Sequence, residues 1–247
     1  VMHWKGPRGG DEPSASHVVG GKLSARKRLT GDQAAFLEQH AQAPFKMTIP
    51  SPSGFMASSY RLGTSDRAYA TPADMLHDLA AIVRKEVEAL AAEGTPYVQL
   101  DTPQYSYFAD QRILADLRDK GLDLTDKLGL AIDSDSACFE GIDHSRVTTA
   151  LHVCRGNSRS RWVAEGGYDV IAEQLFNNLR VDRFLLEYDS DRAGGFEPLR
   201  FVPAGKIVVL GLITTKSPQL EDRDQLAKRI DAAAKFVSLE LSLIHIS

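Results

Sequence analysis

Val147-Thr148-Thr149-Ala150-Leu151-His152-Val153-Cys154 is an apolar, β-branched run that ends in an imidazole and a thiol. Such a run reads as a strand. Side chains alternate faces along a strand, so His152 and Cys154 share one face at its C-terminal end. Similar runs occur at Phe45–Pro50, Pro96–Asp101, Phe184–Tyr188 and Lys206–Ile213. Their near-continuous apolar character implies strands covered on both faces. Helical patterns separate them. Thr71 caps a helix that opens at Pro72, carries Met75, Leu79, Ile82, Val83, Val87 and Leu90 in phase, and stops at Gly94. Further helical sequence is expected around Ile113–Arg118 and over 123–141, 168–178 and 222–240.

Strands alternating with helices imply parallel pairing. The polar residues Ser51, Asp101, His152, Cys154 and Glu187 fall at strand C-terminal ends. In a (β/α)₈ barrel that rim carries the chemistry. A doubly wound sheet would also bind ligands there, usually with a glycine-rich phosphate loop. The glycine pairs here, such as Gly166-Gly167 and Gly194-Gly195, match neither phosphate-loop spacing. The expectation is therefore a single (β/α)₈ TIM barrel domain over 1–247, incomplete, with about five to six of eight strands. Residues 1–44 read as an irregular N-terminal segment that could close a hairpin. Val1 in place of Met and the abrupt stop in Leu241–Ser247 suggest a fragment, with 241–247 a non-native tail.

The chain has 247 residues, a net charge of -4 and 43% hydrophobic residues, as expected of a globular protein with a substantial core. That charge gives no field to attract nucleic acid or an anionic membrane, and neither partner is expected. The basic stretch Lys22–Arg28 reads as a solvated loop. No apolar run approaches the roughly 20 residues of a membrane span. Two cysteines argue against a disulfide framework and fit a reducing cytoplasm.

On residues alone, His152-Val153-Cys154 suits two ligands of one metal ion. By spacing alone it suits better a hydrogen-bonded strand histidine beside a packed cysteine. Glu187 needs a metal, a rim position or an ion pair with Arg155 or Arg192. Asp101, before Thr102-Pro103, is either a substrate contact or a turn cap. Cys138 reads as packing.

Val98-Gln99-Leu100-Asp101-Thr102-Pro103, Leu151-His152-Val153-Cys154 and Leu185-Leu186-Glu187-Tyr188 occur in an order and spacing that resemble the cobalamin-independent methionine synthases. The likeness is greatest to short bacterial relatives of the catalytic half, and runs from Val18 to Glu240. It implies a (β/α)₈ barrel, with these strands the third to the seventh, and a catalytic Zn²⁺. His152, Cys154 and Glu187 match the family's zinc ligands, and Asp101 matches the aspartate that holds the amino group of homocysteine. The implied reaction moves a methyl group from a methyl-tetrahydrofolate-type donor to the homocysteine thiol. The family's fourth ligand, a last-strand cysteine in a Pro-x-Cys-Gly-like context, has no counterpart in Leu241–Ser247, so weak or no zinc binding and little activity are expected of this chain.

The same His-Cys-Glu set would serve a zinc alkyltransferase acting on another thiol such as coenzyme M, or a metal-binding barrel without turnover. The related barrel decarboxylases of tetrapyrrole synthesis need no such set, and His152-Val153-Cys154 argues against them.

Overall fold

The computed structural model describes residues 4–5 and 17–246. The principal elements in chain order are α1 (Gly31–His40), β1 (Met47–Pro50), α2 (Gly54–Ser59), α3 (Pro72–Ala92), β2 (Tyr97–Asp101), α4 (Gln111–Asp119), α5 (Leu128–Ala137), β3 (Thr148–Val153), α6 (Ala172–Asn178), β4 (Arg183–Glu187), β5 (Ile207–Ile213), α7 (Arg223–Ala233) and β6 (Ser242–Ile246). None of the described helices is long and apolar enough to cross a membrane.

The strands form one sheet in the order β1-β2-β3-β4-β5-β6, and every neighbouring pair is parallel. A doubly wound sheet reverses its strand order at a switch point. Here the order never reverses, which is the winding of a (β/α)₈ barrel, and the sheet is an incomplete arc of one.

The two faces of the sheet differ in their packing. Val98, Leu100, Leu151, Val153, Phe184, Leu186, Val208 and Leu210 lie in the main core with Met75, Leu76, Val83, Val87 and Leu90 of α3 and Phe176 of α6. The alternate residues Ala150, Leu185 and Val209 form a second, small cluster with Tyr97 and Ile207. This is the inner face of the arc, and His152 and Glu187 continue it toward the strand ends.

α3 begins as its sequence predicts. The Thr71 hydroxyl accepts from Asp74 N–H, and the Asp74 carboxylate accepts from Thr71 N–H, a reciprocal capping box with Pro72 in the first turn. Other helices are shorter than their apolar periodicity. Residues before α5 are taken by an Asx turn, in which Asp123 accepts from Thr125 N–H and its hydroxyl. The 168–178 stretch splits into a 3₁₀ turn, Tyr168–Val170, and α6. α7 ends at Ala233 rather than near residue 240, and the Ser238 hydroxyl accepts from Glu240 N–H just beyond.

The segment expected to be irregular carries α1. Among its described residues, its β pairing is the antiparallel bridge Lys5↔Trp162; residues 1–3 and 6–16 lie outside the described residues. Lys22–Arg28 is an exposed loop, as expected, and from it Arg28 pairs with Glu86 at 2.9 Å. Glu86 also accepts from Leu29 N–H, Thr30 N–H and the Thr30 hydroxyl, which fixes the entry into α1. At the other end, Ser242–Ile246 runs beside β5 from Val208↔Ser242 to Ile213↔Ile246. Thus the stretch expected as a non-native tail lies against the sheet as a strand.

Burial alone would push the Glu86 carboxyl up, but Arg28 and the Leu29 and Thr30 donors hold it down at about 2, below its ordinary 4.5. Ionised Glu86 therefore contributes stability that is full above pH 4.5 and lost as pH falls through about 2. Glu86→Gln should flatten this acid limb in a plot of urea-unfolding free energy against pH. An unchanged limb would contradict the Glu86 anchor.

Candidate active site

Parallel register brings the polar strand ends together. Asp101 of β2 stands opposite His152 of β3, and His152 stands opposite Leu185 of β4. His152 Nδ1 contacts the Asp101 carboxylate; both side chains are half-buried. One step further, Val153 pairs with Leu186, so Cys154 continues the row that holds Glu187. Glu187 in turn pairs with Gly211 of β5.

Cys154 is a free thiol whose sulfur accepts from Gly156 N–H at 3.3 Å. Burial pushes this thiol up to about 12, the Gly156 N–H opposes, and the nearby Asp101 and Glu187 carboxylates add to the rise. In this arrangement Cys154 is protonated at neutral pH. Cys138, read from sequence as packing, is fully buried in the main core.

Glu187 has no exposed surface. Its Oε2 accepts from Arg155 N–H at 2.9 Å and from Lys216 Nζ at 3.1 Å, whereas Oε1 is buried without a hydrogen-bond partner. Lys216 also reaches Asp189 at 3.5 Å. Asp189 accepts from the Thr214 hydroxyl at 2.6 Å, from Ser190 Oγ and from the Arg192 guanidinium. Burial would raise the Asp189 carboxyl, but Thr214, Lys216 and Arg192 hold it below the usual carboxylate range.

The guanidinium partners that the sequence offered Glu187 go elsewhere. Alternation along the chain turns Arg155 away from Cys154, toward the main core. There it donates to the Tyr168 hydroxyl, to the Glu187 carbonyl and to the Gly166 carbonyl. Gly166 sits at φ +131°, and a Cβ there would lie 2.6 Å from the Ala109 carbonyl, so this docking point demands glycine. Arg192 is spent on Asp189 and on the Trp162 ring, 4.1 Å away.

A second polar group lies behind the β1 and β2 loops. Asp135 of α5 accepts from Ser53 N–H at 3.0 Å, from Ser53 Oγ at 2.6 Å and from the Tyr105 hydroxyl at 3.0 Å. In front of it opens a pocket of about 250 Å³ lined by Ser51, Gly54, Phe55, Ser58, Asp101 and Gln104 among others. Sequence reasoning missed Lys216, Asp189 and Asp135.

The structure thus brings Asp101 to His152, and Glu187 to the Cys154-Arg155 backbone. Among the described residues, no group of three or more His, Cys, Asp or Glu side chains is arranged to hold a metal ion.

Residues 10–245 match the family model described as the catalytic domain of cobalamin-independent synthase. The chain belongs to this family. It is 36% identical over 232 residues to the uncharacterized protein YxjH of Bacillus subtilis (strain 168), covering 90% of this chain and 58% of YxjH. It is 25% identical over 177 residues to the methionine synthase of Pyrococcus abyssi (strain GE5 / Orsay), covering 72% of this chain and 43% of that protein. The chain spans about half the length of the curated relatives it matches. In fold it resembles a B12-independent methionine synthase from Shewanella sp. W3-18-1 in complex with selenomethionine. That match has a TM-score of 0.69 and 22% identity over 93% of this chain and 62% of the other. The family expectation from the strand-end motifs is therefore met, as is the barrel.

Burial raises the Asp135 carboxyl from 3.8 to about 6, against the pull of Ser53 and Tyr105. A folded-state value above the unfolded one gives stability that is present below pH 3.8 and lost as pH rises through about 6. Wild type should therefore lose unfolding free energy relative to Asp135→Asn as pH rises across this interval. Parallel pH curves for the two proteins would contradict that.

Proposed function

We propose that the rim of this arc is a zinc site for methyl transfer from a methyl-tetrahydrofolate-type donor to the thiol of homocysteine. The observation that carries the reading is Glu187 Oε1, a carboxylate oxygen with no exposure and no partner. A buried acceptor left open costs free energy unless something fills it, and a cation is its natural complement. Cys154 lies in the same row and His152 on the preceding inward position of β3. Nitrogen, sulfur and oxygen donors of this kind are the usual zinc set. The Asp101 contact at His152 Nδ1 leaves Nε2 as the ligating atom, with the carboxylate fixing the ring.

Bound zinc would supply a Lewis acid that favours the thiolate form of an acceptor thiol near neutral pH. The protein residues do the rest. Asp101, half-exposed on the pocket wall, would hold the acceptor's ammonium group and so orient its sulfur. Phe55, Gly54 and Gln104 line the same pocket. In the transfer, the sulfur lone pair forms the S–CH₃ bond as the N–CH₃ bond breaks. The donor nitrogen keeps the bonding pair and takes up a proton, and the thiol gives one up. The two free thiols suit a reducing cytoplasm.

Zinc titration of the protein should show saturable binding, weaker than a four-ligand site gives, and Cys154→Ser should weaken it further by about tenfold or more. Asp101→Ala should raise KM for homocysteine more than it lowers kcat when methionine formation is followed by mass spectrometry. Unchanged zinc affinity in Cys154→Ser would refute the ligand assignment. A homocysteine thiol left unmethylated by the zinc-loaded protein would refute the reaction.

A further inference from the structure

We infer that Lys216 is a positioning residue that fixes Glu187 to bind metal through Oε1 alone, with Asp189 opposing the lysine's charge. The inference rests on the zinc reading above and adds a residue to it. The two oxygens of Glu187 have opposite environments. Oε2 is saturated by the Arg155 N–H and the Lys216 ammonium, at 2.9 and 3.1 Å. Oε1 has neither partner nor solvent. A carboxylate held by two donors on one oxygen cannot swivel without breaking one of them. It is thereby set as a one-oxygen ligand.

A lysine so near a divalent cation would ordinarily repel it. Lys216 is itself buried, and its ammonium lies between Glu187 and Asp189. Asp189 accepts from the Thr214 hydroxyl at 2.6 Å and stands 3.0 Å from the Arg192 guanidinium as well as 3.5 Å from Lys216. Asp189 thus sets a carboxylate against the lysine and offsets part of the positive charge that Lys216 and Arg192 bring to this end of the site. The loop is built for this: Lys216 N–H donates to the same Thr214 hydroxyl that donates to Asp189. Partners that orient a ligating carboxylate typically matter by about 10- to 100-fold in metal affinity.

The test compares zinc affinity of wild type, Lys216→Met, Lys216→Arg and Asp189→Asn by competition with a chromophoric chelator. Cobalt(II) spectra report coordination number, and melting without metal reports folding. Lys216→Met should bind zinc about tenfold more weakly or worse. Its cobalt bands should weaken as the freed carboxylate turns two-oxygen, and Lys216→Arg should restore both. Asp189→Asn, nearly isosteric, should also weaken binding by leaving the lysine charge unopposed; it serves if Lys216→Met does not fold. Unchanged affinity and spectra in both variants would overturn the inference while wild-type binding upheld the zinc site. Tighter binding by Lys216→Met would overturn it by making Lys216 a competitor of the metal. Absence of zinc from wild type would overturn the metal reading together with this one.

Discussion

Glu187 ends β4 as a carboxylate with no exposed surface, and three loops are arranged around that charge. An isolated carboxylate in such a place would cost several kcal/mol or become protonated. The β3 loop answers with a backbone N–H from Arg155. The β5 loop answers with Lys216, and the β4 loop supplies Asp189 and Arg192 to balance it. Arg155 and Tyr168 meanwhile take up the carbonyls of Val153 and Glu187 left open past the last ladder rungs. The strand ends are thereby fixed relative to one another before any ligand arrives.

Register does the remaining work. Because all pairs are parallel and consecutive, the C-terminal ends of all the strands face one rim. A shift of one residue in any pair would turn its inward set outward. Asp101 meets His152 because β2 and β3 pair at that step, and Leu185 and Val209 sit beneath as the inner packing layer. The chemistry of the rim and the apolar floor below it are thus two readings of one alternation.

Much of this was legible in the sequence. Apolar runs marked β1 to β5, and Thr71-Pro72-Ala73-Asp74 marked the start of α3. The order of His152, Cys154 and Glu187 on successive strands followed from those runs. What stayed hidden depends on contacts between distant residues. Lys216 sits in Thr214-Thr215-Lys216-Ser217, a composition shared with any solvated loop, and only the fold shows it buried. Glu187 was offered Arg155 and Arg192 by proximity in sequence, yet alternation sends Arg155 to the opposite face. Asp135 reads as a polar helix position until Ser53 and Tyr105 close over it. The helix start near Asp123 was displaced by local side-chain hydrogen bonds that compete with helix and leave little trace in hydropathy.

The central claim is that Cys154, His152 and Glu187 serve one metal ion. X-ray absorption at the zinc edge of the zinc-loaded protein tests it most directly. A shell containing a single sulfur at about 2.3 Å with nitrogen and oxygen donors at about 2.0–2.2 Å is the expected result. A shell of nitrogen and oxygen only, the same in wild type and Cys154→Ser, would contradict it.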